Sequence, residues 1–119
     1  MNGVNIYREH SISTQSRGRL IVMLYDGAIR FLRQAIEDLS RNDLAAKGRN
    51  IGRAQDILYE LNTVLDMEQG GEIAQNLRSL YNFMQRHLNE ANLRKDPHRI
   101  EEVISLLQEL NQGWQAISE

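Results

Sequence analysis

A chain of 119 residues with 41% apolar and 25% charged side chains has enough length for one cored domain and too much apolar character for disorder. Its formal charge of −2 and pI near 5.9 exclude a surface built chiefly to neutralise phosphates, so no nucleic-acid partner is expected. The absence of cysteine removes disulfides, thiolate metal ligands and thiol catalysis.

The single proline and the abundance of Leu, Ala, Glu, Arg and Gln favour helix over sheet, and an all-α class follows. No apolar run is long enough to span a bilayer, and the first 19 residues lack the apolar block of a signal peptide. Neither membrane insertion nor export is expected, and the predicted location is cytoplasmic.

Residues 1–15 are polar apart from Val4, Ile6, Tyr7 and Ile12, and read as a mobile N-terminal arm. Ile6 and Tyr7 give that arm two apolar side chains suited to docking in a groove on the body. A single bundle domain is expected over residues 16–119. Ser13, Thr14 or Ser16 is placed to cap its first helix.

That helix carries the widest apolar arc of the chain. Leu24, Gly27, Ala28, Phe31, Leu32, Ala35 and Leu39 share one face, and Val22, Ile29 and Ile36 form a second apolar row beside it. Arg19, Asp26, Arg30, Arg33, Gln34 and Glu37 are left as a narrow polar face, with Asp26 and Arg30 spaced to pair. Gly27 in mid-helix predicts a close approach by a neighbour.

Ser40 to Asp43 reads as a turn with Asp43 capping a second helix that ends near Leu65 or Asp66. Leu44, Ile51, Leu58 and Leu65 recur every seven residues, with Ala54 and Leu61 between them, as in a bundle seam. Ile57 and Val64 widen it. Gly48 and Gly52 within this helix are read as close-packing positions.

Gly70 and Gly71 close the second helix, and a third is predicted from about Glu72 to Asp96. Its seam is Ile73, Leu77, Leu80, Met84, Leu88 and Ala91, with Tyr81 and Phe83 on the flanks. Asp96 and Pro97 have the chemistry of a cap and a first helical position. The fourth helix follows to about Ile117, burying Ile100, Val103, Ile104, Leu107, Leu110, Trp114 and Ile117. Four helices with short connections predict an antiparallel up-down four-helix bundle.

The chemistry expected of a bundle enzyme does not assemble. A di-iron site needs Glu-x-x-His on two helices, and this chain has none; His87 and Glu90 carry the reversed order, while His10 and His98 stand apart. Gly70 and Gly71 lack the lysine of a phosphate loop. No catalytic, cofactor or metal residue is assigned, and the chain is not expected to be an enzyme. Apolar and aromatic surface in excess of one core points instead to a protein partner.

The segments Leu24 to Ala28, Leu65 to Ala74, Asn76, Leu77, Leu80 and Tyr81, then Leu88, Ala91, Asn92, Asp96 and Pro97 to Trp114, closely resemble the flagellar secretion chaperone family over nearly the whole chain. Where that family often has proline and an acidic residue before the first helix, Arg17 and Gly18 stand here. The resemblance implies a cytoplasmic bundle that binds the disordered C-terminal segment of flagellin. It further implies that binding blocks premature assembly and keeps flagellin fit for the flagellar export apparatus.

On this reading the client-facing surface is placed on the second and third helices, at Ile51, Ala54, Ile57, Leu58, Leu61, Asn62, Leu65, Asn76, Leu77, Leu80 and Tyr81. Asn62 and Asn76 are expected to hydrogen-bond client backbone. Ile6 and Tyr7 resemble the family's apolar arm, which covers a groove when client is absent. For each leucine in the set, plain core packing is an equal alternative, and for Asn62 and Asn76 a helix-to-loop hydrogen bond within the bundle is at least an equal one. A helical adaptor, or a bundle that forms homodimers through its flank rows, is the rival function.

Overall fold

The computed structural model describes the backbone of residues 3–118 and the side chains of residues 17–116. Four helices account for the fold: α1 (Gly3–Ser40), α2 (Leu44–Thr63), α3 (Gly71–Arg94) and α4 (Pro97–Ser118), with no strand among the described residues. The all-α bundle expected from the sequence is the architecture observed.

Local chemistry sets each connection. Asn42 takes a φ of 57°, a left-handed conformation that asparagine tolerates, and the Asp43 carboxylate then caps α2 by accepting from the Ala46 N–H at 3.1 Å. Gly71 at φ 51° supplies the reversal before α3. Lys95, also left-handed, ends α3; Asp96 accepts from the His98 N–H at 3.0 Å, with Pro97 first in α4.

α1 and α3 lie at opposite corners, each packed against both α2 and α4. Cross-links fix the directions. Asp38 meets Asn50 and Gly27 meets Ile57, so numbers rise along α1 as they fall along α2. Lys47 with Asn92, Gln55 with Asn89 and Asn62 with Asn82 show the same reversal between α2 and α3. A Cβ on Gly27 would stand 3.3 Å from Ile57 Cδ1, so the glycine lets α1 and α2 approach closely, as expected.

The core is layered along the bundle by fully buried side chains from all four helices: Tyr25, Leu32, Ile51, Leu58, Tyr81, Met84, Leu88, Ile100 and Leu107. Ala28, Ala35, Ala54 and Ala91 fill the narrow contacts between them. Ile29 of the second apolar row is buried, whereas Val22 and Ile36 are half-covered. Asp38, Lys47 and Asn50 are buried too, which the apolar periodicity does not announce.

Several expectations change. α1 is helical from Gly3 rather than from the Ser13 to Ser16 region: Gly18 costs about 1 kcal/mol relative to alanine without breaking a helix, and no proline interrupts the run. The side chains of Ile6 and Tyr7 lie outside the described residues. Asp26 does not pair with Arg30; it accepts from Asn111 Nδ2 at 2.8 Å, while Arg30 and Arg53 both stand over the Phe31 ring. Gly48 and Gly52 are not close-packing positions, since a Cβ on either would meet nothing within 4 Å. Tyr81 is core rather than flank, and Ile73 is 72% exposed rather than buried. Ile73 sits in the first turn of α3, beyond the level at which α2 ends, so no neighbour covers it.

Candidate functional site

The end of the bundle that carries the α2–α3 connection is built on a floor of aromatic side chains. Tyr25 from α1 and Tyr81 from α3 meet edge to face, with ring centroids 6.4 Å apart and hydroxyls 2.5 Å apart, one donating to the other. The Trp114 side chain, from α4, hydrogen-bonds Tyr25; indole is a donor only, so the Tyr25 oxygen accepts. Three helices are thereby joined at one point.

Burial pushes the Tyr25 hydroxyl above its ordinary pKa, partly offset by the bonds from Tyr81 and Trp114. Burial raises Tyr81 as well, and its hydrogen bond to Tyr25 raises it further. Both phenols stay neutral through the physiological range. Their chemistry is that of a structural tie, not of an acid or base.

Above this floor lies an apolar pocket of about 190 Å³. Leu61, Val64 and Leu65 wall it at the end of α2, Ile73, Ala74 and Leu77 along α3, and Ile21 and Trp114 on the other two helices. Asp66 and Gly70 complete the rim. Val64 and Ile73 are 62% and 72% exposed, so the rim is apolar surface presented to water. Covering a side chain such as Ile73 stabilises a complex by roughly 1.5–3 kcal/mol before the costs of association are subtracted. An apolar recess with exposed aliphatic lips takes the apolar anchors of a peptide or helix.

The eleven residues singled out in the sequence divide into three groups. Ile51, Ala54, Leu58, Leu61 and Tyr81 are buried in the bundle, at most 2% exposed, and offer no free surface; Leu61 and Tyr81 reach the pocket only as its inner wall. Leu65 and Leu77 are half-buried and line the pocket directly. Ile57, Asn62, Asn76 and Leu80 lie elsewhere. Ile57 packs toward Gly27, and Leu80 lines a groove shared with α4.

Asn62 is engaged within the bundle. Its Nδ2 donates to Asn82 Oδ1 at 3.0 Å and its Oδ1 accepts from Arg78 Nε at 3.1 Å, clamping α2 to α3. Asn76 is exposed. The pocket residues outside the predicted set are Ile21, Val64, Asp66, Gly70, Ile73, Ala74 and Trp114. Helical periodicity put Ile73 in the seam of α3, Val64 on the flank of α2 and Trp114 in the buried stripe of α4, and gave Ile21 and Ala74 no place. The signal that separates them is position along the helix: Val64 and Ile73 flank the α2–α3 connection, where a seam residue runs out of neighbours.

Among the described residues no helix is long and apolar enough to cross a membrane. The family of Flagellar protein FliS matches residues 1–119. The chain is 43% identical over 111 residues to the flagellar secretion chaperone FliS of Salmonella typhimurium, covering 92% of this chain and 82% of that protein. It is 38% identical over 122 residues to the flagellar secretion chaperone FliSB of Pseudomonas aeruginosa, covering 99% and 97%. With the FliS of Vibrio cholerae it shares 35% over 109 residues, 92% and 80% of the two chains. These proteins are secretion chaperones, not enzymes, and the chain described here belongs to the FliS family.

Proposed function

We propose that this chain is an export chaperone for flagellin, holding the disordered C-terminal segment of that subunit in the cytoplasm, preventing its premature assembly and keeping it fit for the flagellar export apparatus. The observation that carries the reading is the apolar pocket at the open end, with Ile73, Val64, Leu65 and Leu77 at its mouth. A segment that is disordered when free loses conformational entropy on binding, so it needs apolar anchors of this kind along an extended contact. Ile6 and Tyr7 compete with flagellin for apolar surface when client is present.

The test is calorimetry with the C-terminal segment of flagellin. Binding at micromolar or lower Kd with a negative heat-capacity change is expected. Ile73→Asp should weaken it by about 30-fold, the loss of one hot-spot contact of roughly 2 kcal/mol, while unfolding stability stays within about 0.5 kcal/mol because the residue is already exposed. Deleting residues 1–10 should tighten binding. No binding of the segment at micromolar concentration overturns the assignment, and an Ile73→Asp variant of unchanged affinity moves the client to another face.

A further inference from the structure

The two grooves that flank α4 differ in chemistry. Toward α1, the surface is lined by amides and charges of both signs, among them Gln34, Gln108, Gln112, Arg33 and Glu37. Toward α3, a separate groove of about 490 Å³ has an apolar floor of Leu80, Phe83 and Leu106 and a rim of Glu102, Ser105 and Glu109. Phe83 is 38% exposed although it stacks on His87 at 4.9 Å between centroids.

The charge on this second groove is one-sided. Glu102 and Glu109 are seven residues apart, two turns of α4, which puts them on one face about 10.5 Å apart along the axis. No lysine or arginine follows Arg99 in the sequence. Glu102 has the His87 Nε2 atom at 3.4 Å, with the carboxylate side chain still 62% exposed, and neither Glu102 nor Glu109 has a lysine or arginine partner among the described residues. An apolar trough bounded on one side by carboxylates two turns apart complements a helix with an apolar stripe and basic residues at the same two-turn spacing.

We propose that the α3/α4 groove docks a basic amphipathic helix of a second protein partner, with its aliphatic stripe on Leu80, Phe83 and Leu106 and two Lys or Arg side chains on Glu102 and Glu109. The groove does not share a lining residue with the open-end pocket. A client side chain seated in that pocket therefore does not itself fill the groove, although Leu80 belongs to the client-facing set expected from the sequence.

The experiment titrates the full chain with two synthetic helices that share one leucine stripe and differ only in carrying lysine or glutamate at the two positions seven apart, followed by fluorescence anisotropy and by amide shifts. The lysine peptide should bind, shifting the amides of Leu80, Phe83, Ser105 and Leu106, and should weaken as salt rises. The double reversal E102K/E109K should lower its affinity by about ten-fold, the scale of two exposed charge pairs turned from attraction to repulsion. The same variant should gain affinity for the glutamate peptide, a readout that a misfolded protein does not give. Equal binding of both peptides by the parent chain overturns the proposal. So do shifts that map to Val64 and Ile73, indifference of the double variant to peptide charge, or concentration-dependent sedimentation showing that a second copy of this chain occupies the groove.

Discussion

The two ends of this bundle are held by opposite means. At the end where α1 turns into α2 and α3 into α4, polar groups make the joints: Asn50 and Gln34 donate to the Asp38 carboxylate at 2.7 and 3.0 Å, Asp43 caps α2, and Lys47 Nζ reaches the Asn92 carbonyl at 3.0 Å. At the other end the tyrosine pair and Trp114 form a floor, and the walls above it are chiefly aliphatic, with Asp66 and Gly70 on the rim and Val64 and Ile73 exposed. A joint made of directional hydrogen bonds to buried groups admits one geometry, since any displacement leaves a desolvated donor or acceptor unpaired. Dispersion and burial are non-directional, so the aliphatic end tolerates a change of partner. The joints at the first end are polar, although Ile36, Leu39, Leu44 and Pro97 line an apolar recess beside them, and the end proposed to hold a client is mainly apolar.

Ways to break that contrast begin where neither device operates. Leu58, fully buried between the ends, should cost about 2–5 kcal/mol of unfolding free energy when replaced by alanine, measured by urea denaturation. The molecules that remain folded should bind a client at the open end as before. A milder loss, or a loss of binding at constant stability, would return Leu58 to the surface set in which the sequence placed it.

The closed end is tested by acid. Hydrogen bonds from Gln34 and then Asn50, with help from Arg41 and Arg49, hold the Asp38 carboxyl below its ordinary pKa of 3.8. Because the folded value is depressed, the stabilisation is fully present above the unfolded value and is lost as pH falls from about 4 through the folded value. Asp38→Asn should lower stability at neutral pH and flatten the decline below pH 4, read from thermal midpoints across that range. An unaltered acid profile would mean that this carboxylate is not what locks the α1–α2 joint.

Much of the fold was legible in the sequence because helical periodicity reports which side of a helix is covered. It placed Ala28, Leu32, Ile51, Leu58, Leu88 and Leu107 inside, and the caps at Asp43 and Asp96 marked two of the three turns. Periodicity carries no information on where along its length a helix loses its neighbours. Ile73 and Leu44 were therefore assigned to the seam although they sit at its ends, 72% and 36% exposed. Buried polar residues were invisible for a related reason: Asp38 and Lys47 are hidden by partners on other helices, at Asn50 and Asn92, which no local pattern connects. Of the residues placed on the client surface, Ile51, Ala54, Leu58, Leu61 and Tyr81 are core, because a surface list drawn from the periodicity of two helices gathers the wall of the bundle core with it.

At the open end, Tyr81→Phe removes one hydroxyl from the floor and keeps the ring, so the edge-to-face contact with Tyr25 across the core survives. The cost should be about 1 kcal/mol, the net worth of a hydrogen bond, because Trp114 still donates to the Tyr25 oxygen. A loss approaching that of Leu58→Ala would show that the hydroxyl pair, and not burial, holds this end, and the contrast between the ends would collapse.

The smallest effect has the opposite sign. Gly48 lies in the second turn of α2, next to the closed end, in helical backbone and with open space where a Cβ would stand. Since no neighbour requires the missing side chain, Gly48→Ala should raise stability by about 0.5–1 kcal/mol through the lower entropy of the unfolded chain and the better helix propensity of alanine. Denaturation midpoints measured alongside Gly27→Ala separate packing from propensity: the same substitution at Gly27 puts a methyl 3.3 Å from Ile57 Cδ1 and should fall below Gly48→Ala by the cost of shifting the Ile57 side chain a few tenths of an ångström within the α1–α2 contact. If both glycines gain equally, α1 and α2 have slack between them, and the rigidity assigned to the joint at Asp38 does not extend along that helix pair.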